Sequence, residues 1–225
     1  MSDSSKSKLI GGTFAYPKLP KKHLCSEYDF LCKKNLFMAN ARSVLIAILK
    51  IKGISKIWLP SFCCPSVVKA LLNDFIVKFY PIDYNLKVIK TEWLHSLDSV
   101  SAFVHINYFG FTETTLFEEI INSGVFIVED ASQSLLSFPR SSLSHITIFS
   151  PRKFVGVPDG GISIINRNIN FRMPKLKEIP HSWLIDAVEM LIQRREFDEL
   201  GGPKTWYDLF NKTKETIPIG NYKMS

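Results

Sequence analysis

No run of eighteen apolar residues occurs in the chain, so no segment has the length and character of a membrane-crossing helix. Met1 to Lys8 is polar and lacks the apolar core of a secretory signal, which makes the cytoplasm the expected compartment. Cysteine is scarce. Cys25, Cys32, Cys63 and Cys64 form no C-x-x-C pair and no zinc-finger spacing, so no metal site is expected of them. Free thiols in the core or in loops are the expectation. The five histidines are dispersed, and His105, within the apolar segment Ala102 to Ile106, reads as a core residue at a strand end. Internal repeats and low-complexity stretches are missing as well.

Acidic residues are the minority: 21 Asp and Glu against 28 Lys and Arg give a net charge of +7. Such an excess raises the question of nucleic acid. The basic residues are scattered, however, with a mild cluster at Lys18, Lys21 and Lys22, and no nucleic-acid-binding motif accompanies them. Nucleic acid is therefore not an expected partner. A mild positive excess suits a site for phosphorylated ligands equally well. With 225 residues, 46% hydrophobic and 22% charged, the chain can bury a full core as one large domain.

Helical and strand patterns alternate along that domain. A helix is expected over 41–52, a strand over 56–59, a short helix near 66–73 and a strand over 75–80. A strand over 101–106, a helix near 113–122 and a strand over 125–129 follow, with further strands near 145–149 and 161–165. After Pro180 the stripe Trp183, Leu184, Ala187, Val188, Leu191, Ile192 predicts a helix whose apolar side packs into the core. Residues 1–34, with Gly11, Gly12, Pro17 and Pro20, read as an irregular arm, and 35–225 as the domain. Alternation of this kind predicts an α/β fold: a mostly parallel sheet with helices on both faces.

Two segments carry chemistry. Val125-Phe126-Ile127-Val128 is apolar without alternation, as a strand covered on both faces should be, and it ends in Glu129-Asp130. Parallel sheets bind ligands beyond the carboxyl ends of their strands, where Asp130 would project. Farther on, Phe149-Ser150-Pro151-Arg152-Lys153 brings a serine and a lysine after another strand. A carboxylate to pair with a pyridinium nitrogen and a lysine to form an imine are the two anchors of pyridoxal 5'-phosphate chemistry. Asn40-Ala41-Arg42-Ser43 opens the first long helix, with Asn40 as its N-cap. Free N–H groups of Ala41, Arg42 and Ser43, the helix dipole and the Arg42 guanidinium together suit a phosphate.

Taken in order, these segments resemble the DegT/DnrJ/StrS family of sugar aminotransferases, pyridoxal phosphate enzymes of the aspartate aminotransferase fold. Glu129-Asp130-Ala131-Ser132-Gln133 resembles the family's E-D-x-A-Q, and Pro158-Asp159-Gly160-Gly161 stands where G-E-G-G follows the lysine. Asn40 to Leu45 resembles N-G-T-x-A-L, and Leu59 to Pro65 resembles P-S-x-T-F with Cys64 at the ring-stacking aromatic and Phe62 nearby as a substitute. Gly220 to Ser225 resembles G-Y-N-x-R-M, with lysine at Lys223.

The resemblance implies that Lys153 holds the cofactor and then serves as base and acid, while Asp130 keeps the ring nitrogen protonated. It places Gln133 near the phenolic oxygen and Ala41, Arg42, Ser43 and Ser150 on the phosphate. Asn221 would reach the phosphate of a neighbouring subunit, so a homodimer is implied. A nucleotide-linked keto-sugar as substrate, glutamate as amino donor, and a role in polysaccharide or amino-sugar synthesis follow from the resemblance alone. Family members carry a C-terminal small domain that is missing here, so a truncated or catalytically inactive protein is the alternative expectation. A related dehydratase is a further one, against which Lys153 speaks, since a histidine commonly stands there in dehydratases.

Overall fold

The computed structural model describes residues 13–15, 17, 35–111, 116–134, 143–167, 169 and 172–225. Most of the expected 1–34 arm, with Lys18, Lys21, Lys22, Cys25 and Cys32, lies outside the described residues.

Asn40 begins the first helix by the expected means. Its backbone is extended and its side-chain oxygen accepts the Ser43 N–H at 2.9 Å, satisfying one of the donors a helix start leaves free. Helix α1 (Ala41–Ile51) then buries Val44, Leu45, Ile48 and Leu49 on the stripe that the sequence pattern marks. Strand β1 (Phe37–Met38) precedes it, and β2 (Lys56–Pro60), α2 (Pro65–Leu71) and β3 (Ile76–Tyr80) follow. Next come β4 (Ser101–Ile106), α3 (Phe117–Asn122), β5 (Phe126–Asp130), β6 (Ile146–Phe149) and β7 (Gly161–Ile165). The chain closes with helices α4 (His181–Leu200) and α5 (Trp206–Thr216). The expected start of α3 near 113 lies outside the described residues, and β1 and α5 are additions to the sequence reading.

One seven-stranded sheet orders these strands β1-β7-β6-β5-β4-β2-β3. Pairing is parallel from β3 through β2, β4 and β5 to β6, whereas β7 runs antiparallel to β6 and β1 antiparallel to β7. Strand periodicity splits the core between the two faces. Ala102, Val104, Phe126 and Val128 pack with α1 and α2, while Phe103, Val125 and Ile127 pack with Trp93 and with Phe117 and Ile120 of α3. The sheet is thus mostly parallel and covered on both faces, as expected. His105 is a core residue, set edge-on to the Phe117 ring.

Helices α4 and α5 form a hairpin. Trp183 and Ala187 pack with Ile179 and Ile217, and the Trp183 indole donates to the Thr213 carbonyl at 3.1 Å. The apolar stripe of α4 is only partly a core surface: Leu191 is buried, but Ile192 is exposed. Arg194 does the missing packing at the far end, pairing with Asp198 at 2.9 Å while its guanidinium lies 4.6 Å from the centre of the Trp206 ring.

β7 meets the start of α1 with no room for a side chain. A Cβ on Gly161 would collide with the Asn40 carbonyl carbon and the Ala41 nitrogen, and the neighbouring Gly160 N–H donates to the Ala39 carbonyl at 2.9 Å. Gly161→Ala should therefore destabilise the protein by on the order of 3 kcal/mol, since only backbone movement relieves the overlap. Chemical denaturation checks this, and an unchanged midpoint would show that the contact yields freely.

Candidate active site

Leu59 of β2, Val104 and Ile106 of β4, Asp130 of β5 and Ile148 of β6 converge at the carboxyl edge of the parallel strands. They form the floor of a cavity of about 320 Å³, which falls within the range of small-molecule sites. The starts of α1 and α2 form its rim through Ala41, Arg42, Cys64 and Pro65. Ser132, Gln133, Ser150 and Lys153 complete it from the two following loops.

Local hydrogen bonds fix each contribution. Asp130 ends β5, and its Oδ1 accepts the Ser132 N–H at 2.9 Å, which sets the carboxylate and turns the chain. That turn presents Gln133, whose Oε1 is buried without a hydrogen-bond partner among the described residues. A buried amide oxygen left unpaired is costly, and it marks a place where a ligand donor belongs. Past β6, Ser150 is buried and its carbonyl accepts the Lys153 N–H at 3.1 Å in a 3-10 turn over Pro151–Lys153. This turn carries the exposed Lys153 to the cavity mouth.

Six of the residues expected from the sequence line this one cavity: Ala41, Arg42, Asp130, Gln133, Ser150 and Lys153. Two do not. Ser43 is buried inside the helix start, where its hydroxyl donates to Asn40 Oδ1 at 3.2 Å and accepts the Gly220 N–H at 3.1 Å. Its backbone N–H is spent on the Asn40 cap, so its part is to tie the C-terminal segment to α1. Asn221 is exposed and away from the lining, with its carbonyl accepting the Lys177 N–H at 2.7 Å. Cys64 stands at the start of α2 and lines the cavity, and so does Phe62, which is 64% exposed.

The electrostatics favour an anion beside α1. Burial disfavours the charged form of Arg42. It does so more broadly at Arg152, where the like charge of Arg42 acts in the same direction and the charges of Asp159 and Cys64 oppose it. Arg152 Nε is buried with no hydrogen-bond partner among the described residues. Of the two, Arg42 lines the cavity, and a phosphate placed beside its guanidinium at the helix start would relieve its cost and ease the repulsion on Arg152. Sequence reasoning passed over Arg152, and also Tyr108, which lines the cavity two residues beyond the end of β4.

The two adjacent thiols differ. Burial raises Cys63, and the negative charges of Cys64 and Asp130 raise it further. Burial also resists ionisation of Cys64, but the Ser66 hydroxyl and N–H, Lys153 and the Val67 N–H outweigh it, so its pKa falls below the ordinary thiol value. Both cysteines are free.

No family model matches the chain, and no curated protein matches it either. Solved structures do. A NifS-like protein is 17% identical with a TM-score of 0.53, over 74% of this chain and 54% of that one. DesI with its TDP-sugar product is 16% identical with a TM-score of 0.50, over 62% of this chain and 41% of that one. NtdA from Bacillus subtilis with bound PMP is 13% identical with a TM-score of 0.50, over 63% and 37%. At these identities the likeness is one of fold, and the chain spans between 37% and 54% of the length of these structures.

Alkylation tests the cavity's charge pattern. Cys64 should react with iodoacetamide before Cys63, with a pH midpoint below that of an ordinary thiol. Lys153→Met should move that midpoint upward by removing a nearby cation. Peptide mass mapping across pH reads both, and faster labelling of Cys63 would contradict the arrangement.

Proposed function

We propose that the cavity binds pyridoxal 5'-phosphate and that the chain is the cofactor-binding large domain of an aminotransferase acting on a nucleotide-linked keto-sugar. One observation carries the reading: Asp130 at the end of β5 and Lys153 in the turn after β6 line the same cavity beside the amino end of α1 and Arg42. The residues present fit the cofactor. Gln133 Oε1 is an acceptor without a donor among the described residues, the helix start and the Arg42 guanidinium suit an anion, and an acid lies on the floor for a protonated ring nitrogen. When bound, pyridoxal phosphate supplies an electron-withdrawing ring for reaction at an amine-bearing carbon.

The chain's own residues divide the remaining work. Asp130, fixed by the Ser132 N–H and backed by the buried strand β5, holds a proton at the ring nitrogen. Val104, Ile106 and Ile148 line the cavity beside it and keep water from screening that charge pair. Arg42, through its guanidinium and its N–H at the helix start, and the Ser150 hydroxyl would bind the phosphate, with Ala41 lining the cavity beside them. Lys153 Nζ is the amine that would hold the cofactor, with release of water, and once freed it would move a proton to or from the substrate carbon. The substrate class rests on the sequence resemblance and on the fold likeness to DesI, which binds a TDP-sugar. Glutamate as donor and a role in polysaccharide or amino-sugar synthesis rest on the resemblance alone. A homodimer in which Asn221, exposed here, reaches the neighbouring site rests on the resemblance alone.

Among the described residues no helix is long and apolar enough to cross a membrane. The lysine's exposure favours a second reading, in which the chain holds the cofactor but turns over poorly because water reaches the reacting groups.

Borohydride reduction in the presence of pyridoxal phosphate, followed by peptide mapping, should place a phosphopyridoxyl group on Lys153. An adduct on another lysine, or none, would sink the assignment. Arg42→Ala should weaken cofactor affinity by roughly 1.5–3 kcal/mol, the worth of a charge-assisted hydrogen bond. Equal affinity in a titration would move the phosphate elsewhere. Formation of pyridoxamine phosphate from glutamate, at about 1 per second or faster, separates the active reading from the inactive one.

A further inference from the structure

Glu129 precedes Asp130 on β5 and points to the opposite face, where it is fully buried. A carboxylate in such a place is costly unless both oxygens are satisfied, and here they are. Oε1 accepts the Asn107 side-chain N–H at 3.0 Å and Oε2 accepts the Thr147 hydroxyl at 2.9 Å. None of these groups lines the cavity.

Asn107 leads from that buried acid to the site. Its backbone N–H donates to the Asp130 carbonyl at 2.9 Å, and its Oδ1 accepts the Gly110 N–H at 3.0 Å. These bonds, with that from Phe111 N–H to the Tyr108 carbonyl at 2.9 Å, hold a tight turn in which Phe109 takes a positive φ of 56°. A left-handed phenylalanine is strained, so the turn persists because its surroundings impose it. The turn's product is the placement of Tyr108. Its hydroxyl donates to the Phe62 carbonyl, and its ring stacks on that of Phe62 with centroids 6.0 Å apart and planes 28° apart. Both rings line the cavity, one from the loop after β4 and one from the loop after β2.

We propose that Tyr108, backed by Phe62, is the face on which the cofactor ring lies, and that Glu129 is a positioning residue that aims it through Asn107. The inference rests on the pyridoxal phosphate reading. The stacked Tyr108 and Phe62 side chains supply a flat aromatic surface in the cavity that Asp130 also lines. A ring protonated at nitrogen is attracted to an aromatic face by both dispersion and charge. Burial and the charges of Cys63 and Asp130 hold the Tyr108 hydroxyl well above its ordinary pKa, so it stays a neutral donor to Phe62.

Two readouts on the full chain test this: pyridoxal phosphate affinity, and the circular dichroism induced in the bound chromophore, which depends on how the ring is held. Tyr108→Leu should weaken binding about tenfold and diminish the induced signal, while Tyr108→Phe should stay within about threefold of wild type. Glu129→Gln should diminish the signal with the far-UV spectrum unchanged, and should add little further loss in the Tyr108→Leu background. Asn107→Ala, which cuts the link but leaves the Glu129 to Thr147 bond, should behave as Glu129→Gln does and serves in its place if that variant fails to fold. Wild-type affinity and dichroism in Tyr108→Leu would overturn the ring face. Additive losses in the double variant would overturn the positioning role. Either result leaves the Lys153 adduct intact, whereas a wild-type protein that takes up no cofactor overturns the underlying reading together with this one.

Discussion

The approach of Gly161 to Asn40 governs the geometry of the whole site. The loop that carries Lys153 is anchored by β6 at one end and β7 at the other, and β7 begins at the point where its backbone touches the cap of α1. A side chain at that point would push the lysine loop away from the helix start. Because there is none, Gly160 can donate to Ala39 and the two strand ends, the helix amino terminus and the lysine share one cavity. The C-terminal segment reinforces the same junction: Asn40 Nδ2 donates to the Pro218 carbonyl at 2.8 Å, and Ala39 N–H to the Tyr222 carbonyl at 3.0 Å.

Around that junction the charges are arranged for a ligand more than for the empty fold. Arg42 and Arg152 disfavour one another's company in a partly buried setting, and Gln133 keeps an acceptor with no partner among the described residues. Buried acids outside the cavity behave differently: Glu129 has both carboxylate oxygens engaged, and Asp159 is buried with its two oxygens held by the Ser225 N–H at 3.0 Å and hydroxyl at 2.8 Å. The contrast between engaged structural acids and unengaged cavity groups is what separates scaffold from site.

Much of this was legible in the sequence because it follows from short-range rules. Unbroken apolar strands, a polar N-cap before a helical stripe, and an acid at a strand end each have local causes. What was not legible depends on partners distant in the chain. The two residues of β1 are a strand only because β7 pairs with them, and α5 is polar enough that its burial of Trp206 under Arg194 cannot be read from its own pattern. Ser43 looked like a phosphate ligand because of its position, yet Asn40 and Gly220 claim its groups. Tyr108 could have been found by the rule that picked Asp130, since it too follows the carboxyl end of a parallel strand. Arg152 also follows such a strand end, but its closeness to Arg42 could not be read because the two lie far apart in sequence.

The account centres on Lys153 and Asp130 acting on one ring. A visible absorption titration with pyridoxal phosphate, run on wild type and on Lys153→Ala, tests that most directly. The account predicts a protein-bound visible band in wild type, distinct from the free cofactor and removed by the substitution. A wild-type spectrum identical to that of the free cofactor, or a bound band that survives the loss of Lys153, would contradict it.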